Sequence, residues 1–386
     1  MNRARVSPWK RTALLFFGHL LNDGYASFFA PLLPLLIDRL DLSLAMAGVL
    51  GTTSILTNSL LQPALGHIID RAQRPLLVAV GPLLTTAAMS LIGRAGNFKQ
   101  LMIIMLVTGV GSALFHPVAA ALVAAGGGKN RGLVMAFFSA GGTAGGALAP
   151  LLIVTFVGTL GLERTPWLFL LALGGLAAFT LPLRRHLPPR AVDRPNDAGK
   201  IRIPRQLILL WLVIVLRSMA STAFANFLAV LITTRGGSAF LGGAGISVFF
   251  LTGALGGFLA GGLSDRFGRK IVIFITVVLA TPAFLLVLYG PIGWILPFLV
   301  AAGVFAISST PVGVVAAQEC LPGKTGLVSG LIMGLAWGIG GLALTPIGWF
   351  ADRYGLILVL TGVAMLPLLA GILVLFYPER ASEERP

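Results

Sequence analysis

Long apolar runs dominate the chain, each closed by a short cluster of charge, glycine or proline. A helix needs about 20 apolar residues to cross the hydrocarbon core of a bilayer. Runs of that length predict twelve membrane-crossing helices. In the first half they fall near 12–37, 44–68, 75–93, 100–125, 132–157 and 165–183. In the second half they fall near 206–233, 241–263, 271–289, 292–317, 325–350 and 356–377. The pattern predicts an all-α polytopic membrane protein of two six-helix bundles, residues 1–183 and 206–386, joined by a cytoplasmic linker over 184–205.

Composition agrees: 56% of residues are hydrophobic, 11% are charged and the mean hydropathy is +0.93, a surface that water would not tolerate. The single cysteine, Cys320, excludes an intrachain disulfide, and no closely spaced Cys/His cluster provides structural zinc. A formal charge of +15 would point to nucleic acid in a soluble protein, but here the bases lie in short segments between apolar runs. Their distribution sets orientation instead. With the N-terminus inside, inner segments hold 21 of the 28 Lys/Arg and outer loops hold six: Arg39, Arg94, Lys99, Arg164, Arg235 and Arg353. Both termini are therefore expected in the cytoplasm, with no nucleic-acid partner. The basic N-tail and first run could pass for a signal peptide, but His19, Asn22 and Asp23 interrupt the run, which is read as a retained span. Between the halves, Arg184 to Arg205 carries seven bases, two acids and several prolines, the composition of a solvated linker.

The two halves repeat one another. GHIIDRAQRP from Gly66 matches GGLSDRFGRK from Gly261, aligning Asp70 with Asp265, Arg71 with Arg266 and Arg74 with Arg269, with Lys270 following. Pro117 aligns with Pro311, and Gly141, Gly142, Gly145, Gly146 and Pro150 correspond to Gly338, Gly340, Gly341 and Pro346. No strand precedes the first glycine cluster, so close helix packing explains it better than a nucleotide loop. The prolines predict paired kinks that free backbone carbonyls.

GGLSDRFGRK resembles the signature loop of the major facilitator superfamily, found between the second and third helices and again between the eighth and ninth. HLLNDGYASFFAPLLPLL from His19, LLQPALGHIIDR from Leu60, GVGSALFHPVAAALV from Gly109 and GGTAGGALAPLL from Gly141 resemble the fosmidomycin-resistance branch, whose members are proton-driven exporters. In the second half the likeness rests on LRSMASTAFANFL from Leu216 and TPIGWFADRYG from Thr345. The resemblance implies two bundles that rock about a midplane cavity, working as a monomer and without a cofactor. Asp70, Arg71, Arg74, Asp265, Arg266, Arg269 and Lys270 would then serve as cytoplasmic latches, an aspartate at a helix end accepting from amides or pairing with Arg.

Three polar residues share one face of the first span: His19, Asn22 and Asp23, at i, i+3 and i+4. A charged Asp at that depth costs about 2.5–3.5 kcal/mol on insertion scales, so it should face a cavity or partner, or hold a proton. His116 lies in the fourth span, which lines the cavity in the resembled fold and so brings it toward Asp23. Arg217, the one base within a span, needs an acid or an anion. Across the pseudo-twofold of the resembled fold it would pair with Asp23, or bind the acidic group of a substrate when Asp23 is protonated. Glu319, at an inner helix end, is explained by solvation.

These readings converge on a secondary active transporter: proton-coupled export of small organic molecules, amphipathic or anionic, with the lipid bilayer, protons and the substrate as partners. Lipid or lysolipid translocation is one alternative. Another is divalent-metal transport on nitrogen and oxygen ligands from His19, Asp23 and His116. An embedded enzyme is disfavoured, because no Ser/His/Asp constellation or metalloprotease motif is present and nothing resembles an ATP site.

Overall fold

The computed structural model describes residues 8–72, 78–126, 131–183, 203–321, 328 and 330–378. The elements among them are helices and turns: α1 Pro8–Ala26, α2 Phe29–Leu40, α3 Leu44–Ala72, α4 Val80–Ser90, α5 Phe98–Gly126, α6 Arg131–Leu160, α7 Trp167–Leu183, α8 Arg205–Thr234, α9 Ala239–Phe267 and α10 Arg269–Tyr289. There follow α11 Ile295–Ile307, α12 Ser309–Cys320, a π-helical turn Gly330–Leu335, α13 Ala336–Leu342, α14 Leu344–Tyr354, α15 Leu356–Ala364 and α16 Leu366–Leu375. Among the described residues 11 spans are long and apolar enough to cross a membrane. The expected run near 75–93 begins outside the described residues and continues as α4.

Proline explains where a predicted run divides. The first run is split at Ser27 and Phe28 because Pro31 has no N–H for the Ser27 carbonyl, and Ser27 Oγ turns back to the Asp23 carbonyl at 2.7 Å. Pro311 likewise leaves the Ile307 carbonyl free at the α11–α12 break, where the Thr310 hydroxyl donates to it at 2.7 Å. Pro346 follows the break at Ala343, whereas Pro117 and Pro150 lie inside the unbroken helices α5 and α6. The expected symmetry of kinks is therefore incomplete.

The chain forms two compact units: residues 1–42, 49–198 and 239–247, and residues 43–48, 199–238 and 248–386. In the first, Leu15, Phe115, Phe138 and Phe179 are fully or almost fully buried. There α1 and α6 approach to backbone contact. A Cβ added at Gly141 would lie 2.5 Å from the Phe16 carbonyl oxygen, and one at Gly145 would lie 2.4 Å from that of Leu20. In the second unit, Leu207, Leu210 and Ile214 of α8 pack with Val277, Val312, Ala316 and Ala370. This unit also holds the start of α3, where the Asp352 carboxylate accepts the Leu44 and Ala45 N–H groups at 2.7 and 2.8 Å, capping the positive end of the helix. Large apolar side chains such as Leu171, Phe258 and Phe376 stay more than two-thirds exposed, which suits a protein solvated by lipid.

Candidate functional site

The first unit gathers its polar side chains around Asp23. His19 Nε2 lies 3.1 Å from Asp23 Oδ2, and His116 Nε2 lies 3.4 Å from Oδ1. Asn22 Nδ2 donates to Asp23 Oδ1 at 2.9 Å and to Ser112 Oγ at 3.1 Å, while Asn22 Oδ1 accepts from Thr85 Oγ1 at 3.0 Å. Helices α1, α4 and α5 thus share one polar network. Asn22 is fully buried, while the Asp23 and His116 side chains keep 29% and 24% of their surface accessible, so the carboxylate is reachable from outside the network.

His19 carries the decisive geometry. Its Nδ1 lies 2.9 Å from the Phe138 carbonyl oxygen of α6, and its ring stacks on Phe138 with centroids 4.4 Å apart. A carbonyl can only accept, so Nδ1 bears the N–H, and in the neutral ring Nε2 then has only a lone pair. That lone pair faces Asp23 Oδ2. The contact is a hydrogen bond only when a further proton lies between the two atoms, whichever of them carries it. Gly142 makes room for the pair: a Cβ there would lie 2.3 Å from His19 Nε2 and 2.6 Å from Asp23 Oδ2.

The same three residues offer ligand atoms that all lie within 4.8 Å of one another, a donor set of two nitrogens and one oxygen that fits a divalent ion in part.

Arg217 belongs to the second unit. It is 3% exposed, and its NH1 donates to the Ala306 carbonyl at 2.8 Å. Among the described residues its buried Nε has no partner and none of the ion pairs involves it.

At the repeated loops only the second copy has described side chains. Asp70 and Arg71 end α3, but their side chains, and the whole of Arg74, lie outside the described residues. In the second copy Gly268, at φ 95°, makes the turn from α9 to α10, a conformation that glycine adopts without steric cost. Arg269 pairs with Asp265 at 2.5 Å and Glu319 at 3.3 Å, and it donates to Ser264 Oγ. Glu319 is thus an ion-pair partner rather than a merely solvated acid. Lys270 donates to the Leu375 carbonyl at 3.0 Å, and the Arg266 guanidinium lies over the Phe267 ring.

Sequence reasoning missed Ser112, Thr85, the Phe138 carbonyl and Asp352. Ser112 alone carried a signal, since it precedes His116 by one helical turn and shares its face.

Comparison with known proteins bears on this arrangement. The family model of the Major Facilitator Superfamily matches residues 15–345 and, in a second match, 210–386. The Fosmidomycin resistance protein of Escherichia coli (strain K12) is 29% identical over 374 residues, 95% of this chain and 92% of that protein. The MFS-type transporter YfnC of Bacillus subtilis (strain 168) is 31% identical over 378 residues, 93% of this chain and 90% of that one. Among solved structures, a bacterial homolog of the human lysosomal transporter Spinster superposes with a TM-score of 0.81 at 16% identity, covering 96% of this chain and 97% of that one.

Proposed function

The chain belongs to the major facilitator superfamily, and from that premise we propose that it exports small organic molecules across a bacterial inner membrane, driven by protons that enter through Asp23. It is a transporter and not an enzyme. The observation that carries the proton reading is the His19 tautomer. With Nδ1–H committed to Phe138, the Nε2···Oδ2 contact at 3.1 Å closes when one proton sits between the atoms. When that proton leaves, two lone-pair acceptors face each other and repel. The cluster then has two arrangements that differ by one proton, which is what coupling to a conformational equilibrium requires. His116 Nε2 stands 3.4 Å from the other carboxylate oxygen, where a protonated ring adds charge, and Asn22 donates to that oxygen.

The 21 Lys/Arg of the inner segments support cytoplasmic termini. The Asp265–Arg269–Glu319 contacts, with the matching Asp70, Arg71 and Arg74, support a role for the loops as latches of one conformation. The E. coli relative's name makes fosmidomycin the first compound to try.

The test is growth protection of an efflux-deficient bacterium across a compound panel, with wild type and Asp23→Asn at equal membrane levels. Protection by wild type that is lost in Asp23→Asn is the expected result, and equal protection by both would remove Asp23 as the coupling acid. The convergence of three ligand atoms favours a second reading, divalent-cation transport. Stabilisation by Zn²⁺ or Mn²⁺ that disappears in His116→Ala, together with no protection against any compound, would replace the first reading by the second.

A further inference from the structure

The middle of α3 carries polar side chains that its own packing leaves open. Gln62 Nε2 donates to Asn58 Oδ1 at 2.9 Å, an i, i+4 pair, and Ser54 stands one turn further back on the same stripe. Asn58 is the midpoint of the helix, fourteen residues from either end. All three residues are partly exposed. Among the described residues the Asn58 Nδ2 group, the Gln62 Oε1 oxygen and the Ser54 hydroxyl have no hydrogen-bond partner. Acyl chains offer an amide no partner, so amides at the middle of a membrane helix are tolerated where they meet water or protein. The helix has another side for lipid: Leu60, on the face opposite Asn58 and Gln62, is 60% exposed.

Contacts with α5 fix the depth of the stripe. Thr53 Oγ1 lies 3.1 Å from Met102 Sδ, and a Cβ on Gly109 would lie 2.7 Å from both the Ser54 carbonyl oxygen and Thr57 Cβ. The contacts advance together along both helices, which therefore run parallel. His116 follows Gly109 by two turns and shares its face, while Gln62 follows Ser54 by eight residues and Thr57 by five. Gln62 and His116 thus reach the same depth of the first unit, where the side chains of His116 and Asp23 are also partly accessible.

An open amide donor, an open amide acceptor and a hydroxyl have as their complement an uncharged group that both accepts and donates. We propose that Ser54, Asn58 and Gln62 form a neutral recognition stripe that binds such a group of the transported molecule, a carboxamide or a hydroxyl, at the level of the proton cluster. The stripe adds a specificity determinant to the export reading above and rests on that reading for the molecule carried. Its residues recognise the cargo and take no part in proton transfer.

The test has two arms. In the first, Cys320→Ser removes the only native thiol, and Ser54→Cys, Asn58→Cys, Gln62→Cys and Leu60→Cys are each labelled with a cationic methanethiosulfonate in the full chain purified in uncharged detergent. The three stripe positions should react at least about tenfold faster than Leu60→Cys, because the reagent and the thiolate it attacks both need water. Rates at Asn58→Cys and Gln62→Cys no faster than at Leu60→Cys would overturn the stripe. In the second arm, wild type, Asn58→Leu and Gln62→Met are compared for growth protection across the compound panel at equal membrane levels. Each variant should lose at least about fourfold in protection against exported compounds that bear a carboxamide or hydroxyl, and keep it against exported compounds without one. An unchanged profile in both variants would overturn the stripe and leave export standing. Protection by wild type against no compound would overturn the export reading and the stripe with it. Selective loss in the stripe variants alongside fully coupled transport by Asp23→Asn would sink the proton reading and uphold the stripe. The labelling arm decides the matter if Asn58→Leu and Gln62→Met fail to reach the membrane.

Discussion

Replacing Gly142 with alanine should disable transport while leaving the fold intact. The new methyl carbon would sit 2.3 Å from His19 Nε2 and 2.6 Å from Asp23 Oδ2, where ordinary contact begins at 3.4 Å. Each atom must therefore retreat by about 1 Å, which breaks their 3.1 Å pairing. His19 has nowhere easy to go, because Nδ1 is tied to Phe138 and the ring lies against Phe138 and Phe115. Overpacking of this kind costs about 1–3 kcal/mol. If the cost falls on the paired arrangement alone, its population drops by about 5- to 150-fold, and the coupled transport rate with it. The assay is the initial rate of pH-driven uptake into inverted vesicles at matched protein levels, alongside the melting temperature of the purified protein. Two neighbouring glycines are the controls. Gly146→Ala meets only Ser27 Oγ, at 3.7 Å, and should change neither quantity. Gly145→Ala presses on the Leu20 carbonyl and the Gly24 amide nitrogen at 2.4 and 2.8 Å, so it should lower the melting temperature first. Gly142→Ala that transports within about twofold of wild type would refute the claim that the His19–Asp23 contact is part of the coupling.

Other substitutions separate the remaining roles. Asp265→Asn removes one exposed partner of Arg269, so stability should fall by no more than about 1 kcal/mol in chemical denaturation, while transport should slow if the loop is a latch. An unchanged rate would make the cluster topogenic only. Asp352→Asn weakens the cap on α3 and should cost about 1 kcal/mol, read as a lower melting temperature, with Asp352→Ala losing more. Adding substrate to the protein in weakly buffered detergent should release protons from wild type and none from Asp23→Asn, and equal release by both would place the coupling proton elsewhere.

The helical class was legible because apolar run length reports bilayer thickness directly, and that signal does not depend on tertiary contacts. The shared face of His19, Asn22 and Asp23 was legible for a similar reason, since it follows from helical periodicity. Contacts between helices were not. Nothing in the sequence announces that Gly142 stands opposite His19, or that Ser112 and Thr85 complete the bonding of Asn22. The need of Arg217 for a counter-group was legible from its charge, but its Ala306 contact depends on where α11 breaks. Pro311 and Pro117 look equivalent in sequence, yet only the first accompanies a break, because neighbouring packing decides whether a freed carbonyl bends the helix.

The carbonyl that fixes the His19 tautomer belongs to the main chain, and this hides it from genetics. Every residue that could stand at position 138 presents the same oxygen, so an exhaustive substitution library would score the loss of the Phe138 ring and never the loss of its hydrogen bond. Selection under drug pressure meets the same limit. It can exchange His19, Asp23 or His116, but it cannot erase the acceptor that orients the imidazole. The orientation is therefore the most durable part of the site, and it is best seen by nitrogen-15 NMR of the ring, where a persistently protonated Nδ1 is the expected signature.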